Sequence, residues 1–168
     1  MTMKTKDNLK AAFAGESQAN RKYLAFAKKA EQDGFPVIAS LFRAVAEAET
    51  IHAHTHLRNM GGVADTLGNL KEAMAGEDYE VNEMYPGMVA TAEAEGDKRA
   101  ALGMRHAMEV EKIHSQLYRQ AIAALEKGQD LDHEVLHVCG VCGHTLFGDA
   151  PESCPVCGAK RAAYQKVA

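Results

Sequence analysis

Glutamate and histidine interrupt the apolar stripe of each helix that this sequence predicts. Apolar residues recur with the 3.6-residue period of an α-helix in four segments, at about 5–32, 36–60, 67–95 and 97–127. Each stripe, followed through its middle, arrives at acidic residues, which are Glu16, Glu49, Glu77 with Glu80, and Glu111. An ionised carboxylate that is buried without a partner costs several kcal/mol. A fold that turns this many acids inward therefore needs a bound cation.

The second and fourth segments each carry a Glu-x-x-His pair, Glu49 with His52 and Glu111 with His114. Residues three apart on a helix share a face, so each pair can hold one metal while its carboxylate reaches a second. Two such pairs, with one glutamate from each of two other helices, form the di-iron or di-manganese site of ferritin-like bundles. We therefore predict an all-α, four-helix ferritin-like bundle over residues 1–132.

An internal repeat indicates that this predicted site has pseudo-twofold symmetry. The segment ending at Glu16 (Phe-Ala-Gly-Glu) resembles the segment ending at Glu77 (Met-Ala-Gly-Glu), 61 residues later, whereas the two Glu-x-x-His pairs lie 62 residues apart. Further residues in step are Arg43 with Arg105, Gly34 with Gly96, and Tyr23 with Tyr85. The change of offset implies one extra residue in the second copy. We expect it to form a π-bulge near Glu77 and Glu80, as is common at functional sites.

All four cysteines fall in the last 30 residues and form two Cys-x-x-Cys pairs, Cys139 with Cys142 and Cys154 with Cys157. In an intracellular chain this spacing indicates a four-thiolate metal site rather than disulfides. The spacing fits both zinc and a single iron. A redox-cycling di-metal site nearby needs a supply of electrons, which favours iron. We assign residues 133–168 to this second domain. The charged segment from Met1 to Lys10 has no apolar core behind it and shows no signal peptide, so we expect a cytoplasmic protein.

The charge and hydropathy patterns exclude two classes of partner. Lysine and arginine total 19 against 23 acids, and the formal net charge is −4, which argues against a nucleic-acid groove. No apolar run approaches the roughly 20 residues of a membrane span. We therefore expect neither nucleic acid nor membrane as a partner.

The motifs resemble those of rubrerythrins over nearly the whole chain. The similar segments are Phe13-Ala-Gly-Glu-Ser-Gln18, both Glu-x-x-His pairs, Gly76-Glu77 followed by Glu80, Glu83-Met-Tyr-Pro86, and the rubredoxin-like knuckles with Ala-Pro151-Glu-x-Cys-Pro155. The resemblance implies a homodimeric, non-haem iron peroxidase that reduces hydrogen peroxide to water in an anaerobic or microaerophilic microbe. It also implies an electron donor, either a separate rubredoxin or a reductase that draws on NAD(P)H.

The same resemblance implies a role for each residue. Glu16, Glu49, Glu77, Glu111 and His114 would bind the di-iron pair. Glu80 and His52 would alternate as ligands of one iron between the oxidised and reduced forms. Tyr23 and Tyr85 would hydrogen-bond to the ligand carboxylates. Cys139, Cys142, Cys154 and Cys157 would hold the rubredoxin-type iron that relays electrons.

The connection between the second and third helices is shorter than in long-loop members of that family. Those two helices run parallel in a ferritin-like bundle, so the loop must climb about 26 Å and also step sideways. Eight links from Asn59 to Leu67 reach only about 26–29 Å when taut, and Gly61-Gly62 looks like a turn. We therefore predict a domain-swapped homodimer, in which the first two helices of one chain complete a bundle with the last two of the other.

Two other functions are compatible with parts of this pattern. A ferritin-like ferroxidase or oxygen-reducing protein would use the same carboxylates to oxidise iron, but the cysteine module argues against it. A zinc-ribbon interaction protein with a structural helical region would be colourless and would not turn over peroxide.

Overall fold

The computed structural model describes residues 2–132 and 135–167, and its helices follow the predicted order. The helical elements are α1 (Met3–Gln32), α2 (Pro36–Asn59), α3 (Thr66–Tyr79), a π turn (Glu80–Met84), α4 (Tyr85–Ala94) and α5 (Lys98–Leu125). The predicted third helix is thus α3 and α4 joined by the π turn, which confirms the expected π-bulge. The described chain divides into two compact units, one ending at Ala64 and one beginning at Asp65.

The first unit is an antiparallel pair of helices, α1 and α2, packed through alanines. Ala27, Ala39 and Ala46 are almost fully buried between the helices, and their small side chains allow the two backbones to approach closely. Asn20 is buried in the same contact, where its amide donates to Ala46 O at 2.7 Å and to Thr50 Oγ1 at 2.8 Å. These two hydrogen bonds fix the register of α1 against α2.

In the second unit, α4 and α5 form a helical pair with the same interhelical ion pair and turn as α1 and α2. Arg105 on α5 pairs with Glu93 on α4, as Arg43 pairs with Glu31 in the first unit. Both interhelical turns carry a glycine with positive φ, Gly34 at 85° and Gly96 at 77°, a conformation that side chains other than glycine rarely adopt. Both hairpins are thus closed by equivalent residues of the repeat.

A small three-stranded sheet follows α5 in the second unit. Its strands are β1 (Leu136–Cys139), β2 (Thr145–Phe147) and β3 (Tyr164–Lys166), in the order β2-β1-β3 with antiparallel pairing. Two tight turns hold the cysteines. Gly143 N donates to Cys139 O at 2.8 Å, and Gly158 N donates to Cys154 O at 2.9 Å.

The predicted core stripe of α2 is not covered within its own unit. Ile38, Leu41 and Val45 are 48%, 63% and 37% exposed, although their spacing marks them as inward-facing residues of a bundle. The physical reason is that a pair of helices has one buried seam, and this seam is filled by alanines. The apolar stripe is left without a second layer in the first unit.

The link between the two units starts with a compact helix cap. Gly61 N donates to Arg58 O and Gly62 N donates to Leu57 O at 2.9 and 3.0 Å, and Gly61 has a φ of 71°. This is the hydrogen-bond pattern of a Schellman cap. The first residues after α2 therefore fold back on the helix instead of extending away from it.

The predicted boundary after residue 132 adjoins the part of the chain that is not described, and it stays a prediction. None of the described helices combines the length and apolar character that crossing a membrane requires.

Candidate metal centres

The first unit carries three of the predicted ligands in one cluster. Glu16 on α1 and the pair Glu49 and His52 on α2 place their ligand atoms within 4.8 Å of one another. His52 Nδ1 lies 2.8 Å from Glu49 Oε2. Asn20 lies one turn beyond Glu16 on α1, so its hydrogen bonds to α2 position the two helices at the height of this cluster.

The second unit carries the equivalent cluster. Glu77 on α3 and the pair Glu111 and His114 on α5 also lie within 4.8 Å of one another. His114 Nδ1 is 2.7 Å from Glu111 Oε2 and 3.8 Å from Glu77 Oε1. The next residue, Asp78, accepts hydrogen bonds from Ser115 and Arg119 on α5 at 2.6 and 2.5 Å, and so holds α3 against α5 beside the cluster.

Burial and mutual repulsion disfavour the ionised form of two carboxylates at the second cluster. Burial, and then the neighbouring Glu111, raise the pKa of Glu77 from 4.5 to about 6, although His114 partly lowers it. Burial and Glu111 also raise the pKa of Glu80. Carboxylates and imidazoles so arranged are the donor set that iron and manganese take in proteins. The residues therefore fit a di-iron group, which would neutralise the crowded charge.

The π turn brings two further predicted residues to the second cluster. Glu80 interacts electrostatically with Glu111 and His114. Burial and then Glu80, Glu111 and Glu77 raise the pKa of Tyr85, so its hydroxyl stays protonated and is available as a donor. The first unit has no acid equivalent to Glu80, since Gln18 and Ala19 stand at the corresponding positions. Its predicted tyrosine, Tyr23, is partly buried and packs against Phe26 and Phe42.

The two candidate histidine ligands differ in what holds them. The side chain of His52 is 56% exposed and that of His114 is 26% exposed. His114 Nε2 lies 3.0 Å from the hydroxyl of Thr145 on β2. Thr145 Oγ1 in turn donates to Gly143 O at 2.9 Å, so its single hydrogen is committed and it must accept from His114 Nε2–H.

Thr145 was not predicted from the sequence as a site residue. It stands three positions after Cys142 and carries no ligand spacing or helical period that would single it out. Its contact with His114 arises only when β2 packs against α5. The contact lies at the edge of a cavity of about 450 Å³ that is lined mainly by apolar side chains, including Leu117, Leu136 and Phe147. An apolar surround strengthens a hydrogen bond by excluding water.

The four cysteines converge as the sequence predicts. All are free and form one cluster, with Cys139 and Cys157 sulfurs 3.8 Å apart and Cys142 and Cys154 sulfurs 3.6 Å apart. A tetrahedral ion with metal–sulfur bonds of about 2.3 Å would place its sulfurs about 3.8 Å from one another. The cluster therefore has the dimensions of a four-thiolate metal site.

Comparisons with known proteins identify the family of both the helical part and the four-cysteine part of the chain. A family model described as Rubrerythrin matches residues 7–122, and one described as Rubrerythrin, rubredoxin-like domain matches residues 137–165. Rubrerythrin-2 of Clostridium acetobutylicum is 33% identical over 96% of this chain and 95% of its own length. Nigerythrin of Nitratidesulfovibrio vulgaris is 36% identical over 91% of this chain and 81% of its own length.

Solved structures lead to the same family. A structure of nigerythrin in its partially reduced state has a TM-score of 0.58 and 32% identity over 97% of this chain and 86% of that chain. A fully reduced, all-ferrous nigerythrin structure has a TM-score of 0.57 and 33% identity, with the same coverage. The predicted fold class, four long helices with a small C-terminal four-cysteine region, is confirmed, and so are the di-iron carboxylate and rubredoxin-like iron sites as its cofactors.

Glu77 should make the metal-free protein less stable as the pH rises from about 4.5 to about 6, because burial and the neighbouring Glu111 raise the pKa of this carboxyl in the folded state from 4.5 to about 6. Well below pH 4.5 the Glu77 carboxyl is protonated in both the folded and the unfolded chain. Between about pH 4.5 and 6 the folded chain holds this proton more tightly, so the free energy of unfolding falls until the carboxyl is ionised in both states. Glu77→Gln should therefore increase the free energy of unfolding of the apoprotein at pH 7 by about 1–2 kcal/mol, with no gain below pH 4.5. Urea denaturation at fixed protein concentration measures this. Glu72→Gln, an exposed change on the same helix, is the control, and an equal gain in both variants would contradict the prediction.

Loss of the Thr145 hydroxyl should weaken metal binding at the carboxylate site. Thr145→Val leaves His114 Nε2–H without its acceptor, and the loss of such an outer hydrogen bond lowers metal affinity by about 10–100-fold. Titration of the apoprotein with Fe(II) under anaerobic conditions measures the affinity, while the visible absorption of the thiolate site is followed separately. Thr145→Ser keeps the hydroxyl and should bind iron as the wild type does. Equal affinities in the valine and serine variants would show that the hydroxyl has no such role.

Proposed function

We propose that this chain, which belongs to the rubrerythrin family, is a peroxidase that reduces hydrogen peroxide to water (H₂O₂ + 2e⁻ + 2H⁺ → 2H₂O). The observation that carries the proposal is the presence, in one chain, of two carboxylate–histidine clusters and a four-thiolate cluster. When bound, the di-iron pair would supply the two electrons, and the thiolate-bound iron would replace them one at a time. Storage proteins need no such relay, so the four-thiolate cluster favours a peroxidase over the alternative, a ferroxidase or oxygen-reducing protein.

We assign the metal ligands of the peroxidase to the two clusters. Glu16, Glu49 and His52 would come from one unit, and Glu77, Glu111 and His114 from the other. Cys139, Cys142, Cys154 and Cys157 would bind the single iron. The placement of three equivalent residues in each unit, in step with the internal repeat, supports this assignment.

Glu80 and His52 are assigned as the exchangeable ligands. The hydrogen-bond pattern supports this role for His52: among the described residues its ring pairs with Glu49 of its own helix, whereas the His114 ring is also held by Thr145. The π turn supports it for Glu80, because π segments inside helices commonly accompany functional sites. Tyr85, whose hydroxyl remains protonated, is assigned to donate to ligand carboxylates, and Tyr23 to do the same in the equivalent position.

The redox partners follow from the chemistry of the relay. Members of this family use redox partners and often form homodimers. We propose a rubredoxin, or a reductase that draws on NAD(P)H, as the donor of single electrons to the thiolate-bound iron. A cytoplasmic location suits this partner and keeps the four cysteines reduced for metal binding.

Anaerobically reduced, iron-loaded protein should be oxidised faster by hydrogen peroxide than by the same concentration of O₂. Stopped-flow absorption measures both rates. Glu111→Ala, which removes a proposed ligand, should lower the peroxide rate by about 100-fold or more. Glu109→Ala, an exposed acid two residues away on α5, should leave it unchanged. Faster oxidation by O₂, or rapid uptake of excess Fe(II), would identify the ferroxidase alternative instead.

We also propose that the active protein is a domain-swapped homodimer. In a ferritin-like bundle α2 and α3 run parallel, so the link must climb from the end of α2 to the start of α3. If the two half-sites lie at the same level of the bundle, the link must cover the helix length from His52 to Asn59 plus the length from Thr66 to Glu77. At ~1.5 Å per residue these lengths add to about 27 Å along the bundle axis. Seven Cα–Cα links between Asn59 and Thr66 reach about 23–25 Å when taut. The cap at Gly61 and Gly62 shortens this reach further.

The uncovered stripe on α2 also supports the swap. Ile38, Leu41 and Val45 expose apolar surface in a chain whose helical pairs are separate compact units. A second copy can cover this stripe with its own last helices, and it would at the same time complete each six-ligand site. Neither half-site alone contains the ligands for two irons.

Complementation between two inactive variants tests the swap. Glu49→Ala damages the first unit and Glu111→Ala damages the second, so each homodimer should lack a complete di-iron site. In a swapped heterodimer, one bundle receives both damaged units and the other receives both intact units. Co-expression with two different tags, followed by tandem purification, should therefore yield one di-iron site and about half of the wild-type activity per dimer. A heterodimer with no intact site would show that each chain builds its own bundle.

A further inference from the structure

The two copies of the internal repeat join their helices through different residues. In the first copy, Asn20 crosses from α1 to α2 and donates to Ala46 O at 2.7 Å and to Thr50 Oγ1 at 2.8 Å. Its equivalent 62 residues later is Asn82, which lies in the π turn and donates to Asp78 O of its own helical segment at 2.7 Å. The same side chain therefore joins two helices in the first copy and turns back on its own segment in the second.

The residue that directly follows the first proposed ligand of each copy shows the opposite change. In the first copy this residue is Ser17, whose hydroxyl donates to Phe13 O of its own helix at 2.6 Å. In the second copy it is Asp78, and its carboxylate reaches from α3 to α5. The clamp, by which we mean the polar side-chain contact between the two helices of one copy, has thus moved from four residues beyond Glu16 to the residue next to Glu77.

The clamp at Asp78 joins residues that neighbour proposed ligands on both helices. One carboxylate oxygen, Oδ1, accepts from Ser115 Oγ at 2.6 Å, and Oδ2 accepts from Arg119 Nη2 at 2.5 Å. Ser115 is 4% exposed and directly follows His114. The equivalent residue in the first copy is Ala53, which has no hydroxyl to offer. Hydrogen bonds to an ionised carboxylate are about twice as strong as those between neutral groups, so this clamp fixes α3 firmly against α5.

The clamp precedes the π turn, so it anchors Glu77 but not Glu80. Neighbouring residues of a helix lie about 1.5 Å apart along its axis, so an anchor at Asp78 also fixes the backbone of Glu77. The π turn begins two residues after Asp78. Within residues 2–132 and 135–167, no side chain of the π turn hydrogen-bonds to α5, and Asn82 bonds to Asp78 O instead. Glu80 therefore lies on a stretch of chain that side-chain hydrogen bonds do not tie to α5.

We propose that Asp78 is a positioning residue that holds Glu77 as the fixed ligand of α3 and leaves Glu80 free to exchange. The residue inserted in the second copy accounts for this arrangement, because it falls between Asp78 and Asn82 and turns the asparagine away from α5. Asp78 itself touches no metal and acts through Glu77. The inference rests on the proposed assignment of Glu77 and Glu80 as ligands, and not on peroxide as the oxidant.

A double-mutant cycle on Fe(II) affinity tests the role of Asp78. Asp78→Ala should lower the affinity of the full-length apoprotein for Fe(II) about tenfold, since residues that orient metal ligands contribute about 10–100-fold. In a Glu77→Gln background the same change should leave the affinity unaltered, because Asp78 acts through Glu77. Anaerobic titration measures each affinity while the visible absorption of the thiolate site is followed separately, and Glu72→Ala, an exposed change on the same helix, is the control. An equal loss in both backgrounds, or no loss in Asp78→Ala, would overturn the proposal.

A milder variant and a stability measurement separate positioning from a purely structural role. Ser115→Ala removes one donor of the clamp and should lower the Fe(II) affinity by less than Asp78→Ala, because Arg119 still holds the carboxylate. In urea denaturation of the apoprotein, Asp78→Ala should lower the free energy of unfolding equally with and without Glu77→Gln, whereas its effect on affinity should require Glu77. Wild-type affinity in Ser115→Ala would show that the clamp does not position the ligand.

Hydrogen exchange of the metal-free protein tests whether the π turn is free to move. Backbone amides of Glu80–Met84 should exchange faster than those of residues 18–22 of α1, which surround the clamp at Asn20. Asp78→Ala should extend the fast exchange to the residues around Glu77. Equal protection of the two wild-type segments, or unchanged protection around Glu77 in the variant, would contradict the proposal. Neither this measurement nor the titration involves peroxide, so slow oxidation by peroxide would contradict the peroxidase proposal and leave this one standing.

Discussion

Negative charge turned towards the interior is the constraint on which the helical part depends. Glu77, Glu80 and Glu111 lie near one another, and their mutual repulsion together with burial raises the pKa of Glu77 and of Glu80. A bound di-iron group turns the repulsion into attraction, so metal loading and stability are coupled. The site is a destabilised part of the apoprotein, and the bound cofactor would relieve it.

The internal repeat builds two equal half-sites, and two later features make them unequal. The π turn gives the second half an extra acid, Glu80, which the first half lacks. Thr145 holds the outer nitrogen of His114, whereas the side chain of His52 is largely exposed. In the proposed peroxidase, symmetry would supply a balanced ligand set, and its departures would determine which ligands are free to change. A peroxidase of the proposed kind needs both properties.

The features of this chain that follow a chemical or helical period could be predicted from its sequence. The ligand clusters and the π turn could be predicted because metal ligation imposes fixed spacings and the repeat exposes one inserted residue. The helical period also predicts the apolar face of α2 that contains Leu41. It cannot predict which helices cover that face, and within its own unit Leu41 is exposed. Thr145 and Tyr164 could not be predicted, because their partners His114 and His144 lie 31 and 20 residues away. Such contacts depend on how the small sheet packs.

The thiolate and carboxylate sites are linked by residues that bind no metal themselves. From Cys142 the chain leads to Gly143, whose carbonyl accepts from Thr145, and Thr145 accepts from His114. In the proposed peroxidase this short covalent and hydrogen-bonded link reaches His114, which Thr145 holds, and not His52. A ligand change at His52 and Glu80 would therefore leave the link intact. Since electron transfer depends steeply on a fixed path while ligand exchange requires movement, assigning the two tasks to different residues of the site allows both.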